Sequence, residues 1–280
     1  MTLSESGAAH PLDQALVLAP LAPHRFSGQP HPAYANMVGP YGGITAAQML
    51  QAVLQHPERL GEPVALTVNY AAALLERPFE IEARPARTNR STQHWTLLLR
   101  QPDEDGTDAT VITATALTAV RRSTWSASDV ALPTDLARPQ DVAPSGRPPQ
   151  VRWPGRYDMR LITGHMPVTW DGSEADSLTR LWVRDEPPRA LDFASLTALA
   201  DVFYPRVWRR RALRTPAGTV SMTVYYHAGA AELAATDAGY LLAQARSQAF
   251  FNGFFDQSAE LWNEAGHLLA TTHQIVYFKE

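Results

Sequence analysis

The chain has 280 residues, enough for one large domain or two of about 100–200 residues each. With 45% hydrophobic and 19% charged residues it has the profile of a packed globular chain, and the lack of cysteine excludes disulfides, thiolate nucleophiles and cysteine-ligated zinc or iron–sulfur centres. Lys+Arg 24 against Asp+Glu 28 gives a net charge of −4, so no overall basic field points to nucleic acid as a partner.

Read from the N-terminus, the apolar run Ala15–Ala19 stops at Pro20 and has no basic segment ahead of it. It does not read as a signal peptide, and no segment approaches the ~20 apolar residues of a membrane span. The expectation is a soluble, cytoplasmic protein. Residues 44–56 carry Ile44, Ala47, Leu50, Val53 and Leu54 at helical spacing, with Gly42-Gly43 ahead of them and Pro57 as the stop. Strands follow: Val64, Leu66, Val68 and Tyr70 alternate on one face, and then come 79–87, 92–101 and 109–120. The segment 102–108 joins the last two as a turn. Its acidic cluster (Asp103, Glu104, Asp105, Asp108) reads as solvated, because Gly106 is misplaced for a calcium loop. Residues 123–156 hold Pro133, Pro139, Pro144, Pro148, Pro149 and Pro154, which predicts an extended linker across the surface. Beyond it a helix is expected near 193–204 and strands near 219–228, 239–248, 249–262 and 267–278.

The chain is written twice. PVALTVNYAAAL (63–74) and TVSMTVYYHAGA (219–230) agree at five of twelve positions at an offset of 156. GGITAAQML (42–50) matches FASLTALAD (193–201) at 151 or 152, and VITATALTAV (111–120) matches LLATTHQIVY (268–277) at 157. The period is too long for a solenoid and reads as a duplicated domain. Each copy is one apolar helix followed by antiparallel strands, an α+β plan with the helix on one face of the sheet. The expected boundaries are 1–122, 123–156 and 157–280.

No nucleophile elbow, H-E-x-x-H, Walker A lysine or dinucleotide fingerprint occurs. The nine histidines are scattered, and none pairs with another at i, i+4, so no metal or other cofactor is expected. Taken in order, GGITAAQ on the first helix, NRST at the start of a strand, LTALAD on the second helix and the terminal TTHQ resemble the acyl-CoA thioesterase II family. The resemblance covers residues 24–122 and 157–279 and implies a double hotdog that hydrolyses acyl-CoA. It implies three side chains that orient a water: Asp201 on the second helix, Thr219 at the start of the next strand and Gln274 near the end of the last. Two places depart from the family. Ser221-Met222 stand where it usually has aspartate and histidine, and Ile275-Val276 where it usually has glutamate and glycine.

Thioester hydrolysis needs a base, a positioned water and a stabiliser for the developing oxyanion. A carboxylate on an apolar helix is costly to bury unless it is hydrogen-bonded, and Gln274 and Thr219 can supply such bonds. The alternation leaves Thr219, Ser221 and Thr223 on one face, so which of them fills the threonine role stays open. At the first helix, Gly42 and Gly43 would let a substrate carbonyl approach free N–H groups. Arg209, Arg210 and Arg211 beside Trp208, within a run of five arginines from Arg206 to Arg214, are candidates for the phosphates and adenine of coenzyme A; a solvated loop or subunit contact is the alternative.

Two rival readings remain. A hotdog hydratase typically has a histidine five residues after its aspartate, where this chain has Arg206, and a silent acyl-CoA- or lipid-binding hotdog is compatible with the departures. The first-half counterparts of Asp201, Thr219 and Gln274 fall at about Met49, Pro63 and Leu117, so one working site per chain is expected. The oligomeric state is open, with a homo-oligomer compatible.

Overall fold

Strands form where alternation and turn chemistry agree, but strands that do not alternate also stand before each helix. The computed structural model describes residues 9–103 and 105–280; residues 1–8 and Glu104 of the acidic turn lie outside them. The first half comprises α1 (Pro11–Ala15), β1 (Ala19–Ala22), β2 (Arg25–Gly28), α2 (Gly42–Leu54), β3 (Glu62–Tyr70), β4 (Phe79–Thr88), β5 (Thr92–Pro102) and β6 (Asp108–Ala119). The second comprises β7 (Tyr157–Thr163), β8 (Thr179–Asp185), α3 (Phe193–Leu199), α4 (Arg206–Arg211), β9 (Ala217–Tyr226), α5 (Ala230–Thr236), β10 (Leu241–Arg246), β11 (Phe250–Phe251), β12 (Phe254–Asn263) and β13 (Leu268–Phe278). A strand pair therefore precedes the helix in each copy, and the sequence reading lacks all four of those strands.

All the strands join one antiparallel sheet in the order β1-β2-β4-β5-β6-β3-β9-β13-β12-β10-β8-β7, with β11 paired to β12. The order is the same read outward from the β3–β9 seam in either direction. At that seam Thr67 faces Thr223, its own equivalent 156 residues on, and their hydroxyls meet at 2.9 Å. Antiparallel strands of a duplicated chain can pair a residue with its own copy only on a two-fold axis, so the axis of the double hotdog passes through this pair.

Helices α2 and α3 lie side by side on one face of the sheet. Ten of the thirteen residues of α2 are buried, from Gly43 to Val53. A helix buried on most sides reads as apolar around most of its circumference, and its mixed face of Ala46, Ala47 and Ala52 lets neighbouring backbone approach. Gly42 and Gly43 are its first two residues rather than a lead-in. The 249–262 segment is a hairpin rather than one strand: Asn252 and Gly253, with φ of 54° and 77°, make the left-handed turn that Asn-Gly favours. The proline-rich segment does not stay on the surface throughout, since Trp153, in a helical turn at Trp153–Arg156, stacks on Tyr41 with ring centroids 4.3 Å apart. No helix among the described residues is long and apolar enough to cross a membrane.

The tightest point of the α2–α3 crossing is Gly43, where a Cβ would lie 2.6 Å from the Ala198 carbonyl oxygen and 2.7 Å from the Tyr41 ring. Backbone cannot yield as a side-chain end can. Gly43→Ala is expected to lower unfolding free energy by about 1–3 kcal/mol, read as a fall in denaturant midpoint at unchanged m-value.

Candidate functional site

Three side chains from distant parts of the second half meet in one hydrogen-bonded chain. Helix α3 ends at Leu199, so Asp201 stands in the turn beyond it rather than on the helix, its N–H directed to the Ala198 carbonyl at 3.3 Å. The Gln274 amide on β13 donates to Asp201 Oδ1 at 2.8 Å, and the Thr219 hydroxyl on β9 donates to Gln274 Oε1 at 3.1 Å. Each donor fixes the next: the threonine sets which end of the amide is oxygen, so the NH₂ must face the carboxylate.

A β-bulge decides which threonine takes part. Ser221 pairs with Ile275 and Thr219 with Val276, so Val220 is the extra residue. An unbroken strand would keep Thr219, Ser221 and Thr223 on one face. The bulge turns Thr219 to the face of Met222 and Gln274, while Ser221 bonds Asn69 and Thr223 bonds Thr67 on the other side of the sheet. Met222, at one of the departures from the family pattern, places its sulfur 3.4 Å from the Gln274 amide.

The first half supplies the other wall. Tyr41 occupies the N-cap of α2 and gives no side-chain cap, which leaves the first N–H groups of the helix free of one. A Cβ on Gly42 would come 2.9 Å from Asp201 Oδ2, and the backbone N–H of Gly43 also draws on the carboxylate. Two tyrosines hold this turn: Tyr70 donates to the Gly42 carbonyl at 2.9 Å, and Tyr41 to the Ala198 carbonyl at 2.7 Å. Sequence reasoning missed both, because an aromatic on an alternating strand or before a helix looks like core. No residue pattern in the linker marked Trp153 behind Tyr41 either.

Burial dominates the electrostatics of Asp201 and pushes its carboxyl up to about 7; the Gln274 amide and the Gly43 N–H pull it back only in part. Their own burial first, and then the charge of the same carboxylate, hold the Tyr41 and Tyr70 hydroxyls well above the ordinary phenol range. Asp185, at the end of β8, is also raised, to about 6, by burial, and is bonded by Ser195 apart from this chain of residues.

At the equivalent place in the first half nothing titrates. Gln274 pairs with Met222, and the equivalent Leu66 pairs with Ala116, so Ala116 and not Leu117 takes the glutamine's position; Leu117 pairs with Ala65 on the other face. Pro63 stands at the threonine's position, and the residues that the sequence offset matches to the aspartate, Met49 or Leu50, are both fully buried.

The arginines separate. Arg206 is fully buried and donates to the Ser177 and Tyr204 carbonyls and the Thr179 hydroxyl, with no carboxylate partner among the described residues. Arg210 pairs with Glu174 at 2.6 Å and Arg211 with Glu280, both on exposed carboxylates. Arg209 is 3.7 Å from Asp176; its Nε is buried without a partner, and it lines a cavity of about 240 Å³ with Thr169, Asp171 and Ser173. Trp208 is not free to stack on a base, since it packs by Val207 and Phe255 and donates to the Thr215 carbonyl at 2.6 Å.

One group of potential metal ligands occurs among the described residues: His24, His56 and Glu58, within 4.8 Å of one another. The ring nitrogens that face one another are already engaged. The Glu58 N–H donates to His56 Nδ1 at 3.1 Å, which puts the ring proton on Nε2, and that proton bridges the 2.8 Å gap to His24 Nδ1. A cation there would have to displace both bonds.

Comparison with known proteins fits this architecture. Residues 31–119 match the model of the acyl-CoA thioesterase N-terminal domain, and residues 132–278 that of the acyl-CoA thioesterase C-terminal domain. A hotdog-fold protein of unknown function from Alicyclobacillus acidocaldarius is 45% identical, with a TM-score of 0.90, over 98% of this chain and 99% of that one. An acyl-CoA thioesterase II from Mycobacterium marinum shares the fold at 15% identity and a TM-score of 0.72, over 96% of this chain and 98% of that one. A dehydratase domain from Pseudomonas fluorescens shares it more loosely, at 11% identity and a TM-score of 0.52, over 91% and 94%. No curated protein sequence matches the chain.

The raised carboxyl has a measurable consequence. Between the ordinary aspartate value of 3.8 and about 7 the folded protein binds a proton at Asp201 that the unfolded chain does not. This contribution to stability is complete below 3.8 and is lost as pH rises through about 7. Asp201→Asn removes it while leaving Asp185 in place. The variant is expected to gain stability relative to the wild type between pH 5 and pH 8, measured as the difference in denaturant midpoint; a constant difference would contradict a raised Asp201.

Proposed function

Because the chain belongs to the acyl-CoA thioesterase family, we propose that it hydrolyses acyl-CoA to the free acid and coenzyme A, with Asp201 as general base on water. The observation that carries this reading is the Thr219–Gln274–Asp201 chain, which fixes a half-buried carboxylate through neutral donors and sets it against the N-terminus of α2. A carboxyl near 7 suits both halves of the reaction, since ionised it takes a proton from water and protonated it can return one to the leaving thiolate. Gln274 and Thr219 hold that carboxylate in one orientation. The N–H groups at the start of α2 carry the positive end of the helix dipole and stabilise the oxyanion that forms as water adds. A hydratase would need an acid–base group five residues after Asp201, and the position holds the enclosed Arg206. With Met49, Leu50, Pro63 and Ala116 at the equivalent positions, one site works per chain.

Asp201→Asn is expected to cut kcat by about 10²–10⁴-fold on an acyl-CoA panel from acetyl to palmitoyl, with Gln274→Ala and Thr219→Ala losing less. In the wild type kcat/KM should rise with pH through about 7 and level off above it, since the base must be ionised. Wild-type turnover in Asp201→Asn would overturn the mechanism.

The phosphates of coenzyme A are assigned to the arginine cluster, with Arg209 first because its Nε is unpartnered beside a cavity. Arg209→Ala should raise KM for acyl-CoA and leave a short thioester without the nucleotide unaffected, whereas Arg210→Ala and Arg211→Ala, already matched by carboxylates, should do less. Equal losses on both substrates would assign the cluster to structure.

A further inference from the structure

The arginine segment is covered by one stretch of chain, residues 164–178 between β7 and β8. Four of the five arginines meet it: Arg206 donates to the Ser177 carbonyl at 3.1 Å, Arg209 lies 3.7 Å from Asp176, Arg210 lies 2.6 Å from Glu174, and Arg214 stands 4.6 Å over the Trp170 ring. The backbone of the stretch is tied at its base and along its length. At the base the Thr179 hydroxyl donates to the Gly164 carbonyl at 2.9 Å, and further out the Gly172 and Ala175 N–H groups donate to the Ala212 and Arg210 carbonyls, each at 3.3 Å. The cavity of about 240 Å³ beside Arg209 lies between this stretch and α4.

The carboxylates are held less firmly than the backbone that carries them. The side chains of Glu174 and Asp176 are 69% and 71% exposed, so water screens their pairs with the arginines, and exposed pairs of this kind are weak. Asp176 is also kept in its own turn by the Leu178 N–H at 2.9 Å, and reaches Arg209 only loosely. A phosphate monoester offers a guanidinium more charge and more acceptor oxygens than a carboxylate does, so it displaces such a partner with the backbone left in place.

We propose that Glu174 and Asp176 are specificity-determining residues that compete with the phosphates of coenzyme A for Arg210 and Arg209, so that the nucleotide is held more weakly than the arginines alone would hold it. The inference rests on the assignment of the phosphates to this cluster. The thioester substrate and the released thiol carry the same nucleotide, so its binding is uniform along the reaction and does not speed the chemical step. Held too tightly, it retains the product. Carboxylates that trade places with the phosphates let coenzyme A leave.

Calorimetric titration with coenzyme A tests this. The double variant Glu174→Gln/Asp176→Asn should bind it about 2–10-fold more tightly than the wild type, the scale of two exposed ion pairs, and the gain should shrink as salt is raised. Arg210→Ala should change little by itself but cancel the gain that Glu174→Gln gives alone. An unchanged or weaker affinity in the double variant would overturn the inference. So would a gain from Glu174→Gln that persists beside Arg210→Ala, since that reports net charge without pairing. If the wild type does not bind coenzyme A, or Arg209→Ala binds it equally well, the assignment of the phosphates fails; if Arg209→Ala weakens binding and Glu174→Gln/Asp176→Asn does not strengthen it, only this inference fails.

Discussion

Everything at the site depends on the seam between β3 and β9. Pairing Thr67 with its own equivalent puts a two-fold axis through the sheet, and the axis brings the start of α2 against the end of α3. Neither half contains a site alone. The second half brings a carboxylate with its two supporting side chains; the first brings the N–H groups that begin α2, a glycine packed against the carboxylate and two tyrosines. A shift of two residues along the seam would leave each strand's core face intact, because side chains alternate with period two, yet it would part Gly42 from Asp201. The hydroxyl pair at the centre forms in this register.

The electrostatics follow from the same junction. Burying a carboxylate without a cation is costly, and no arginine, lysine or histidine offsets the cost at Asp201. A salt bridge would hold the group ionised with a depressed pKa and make it a poor base. Neutral donors from Gln274 and Gly43 orient it and leave its proton affinity high. The cations of this region are spent elsewhere: Arg206 on carbonyls inside the fold, Arg210 and Arg211 on surface carboxylates.

Much of this was legible in the residues. The duplication, the first helix and the strands from Glu62 to Ala119 follow from period and turn chemistry, and Asp201, Thr219 and Gln274 from a family pattern that the structure brings within hydrogen-bond reach. What stayed hidden has physical causes. The strands β1 and β2 are only four residues each, with Pro20 in one, and β8 is buried on five of its seven residues, so neither pair alternates cleanly. A bulge at a valine looks like any strand residue, so the face of Thr219 could not be read. Tyr70 and Trp153 are useful for what lies beside them, and proximity between residues more than a hundred apart leaves no trace in local composition.

The bulge appears in both halves: Val64 is passed over between Pro63 and Ala65 just as Val220 is between Thr219 and Ser221. The backbone is thus prepared twice to present a side chain inward, and only one copy presents a hydroxyl. Two separate subunits related by symmetry could not arrive at this, because every substitution in a homodimer is made on both sides of its axis. Covalent fusion lifts that condition. It lets one strand keep a hydroxyl donor while its counterpart takes a proline, and it turns a symmetric scaffold into one whose equivalent positions are free to answer to different demands.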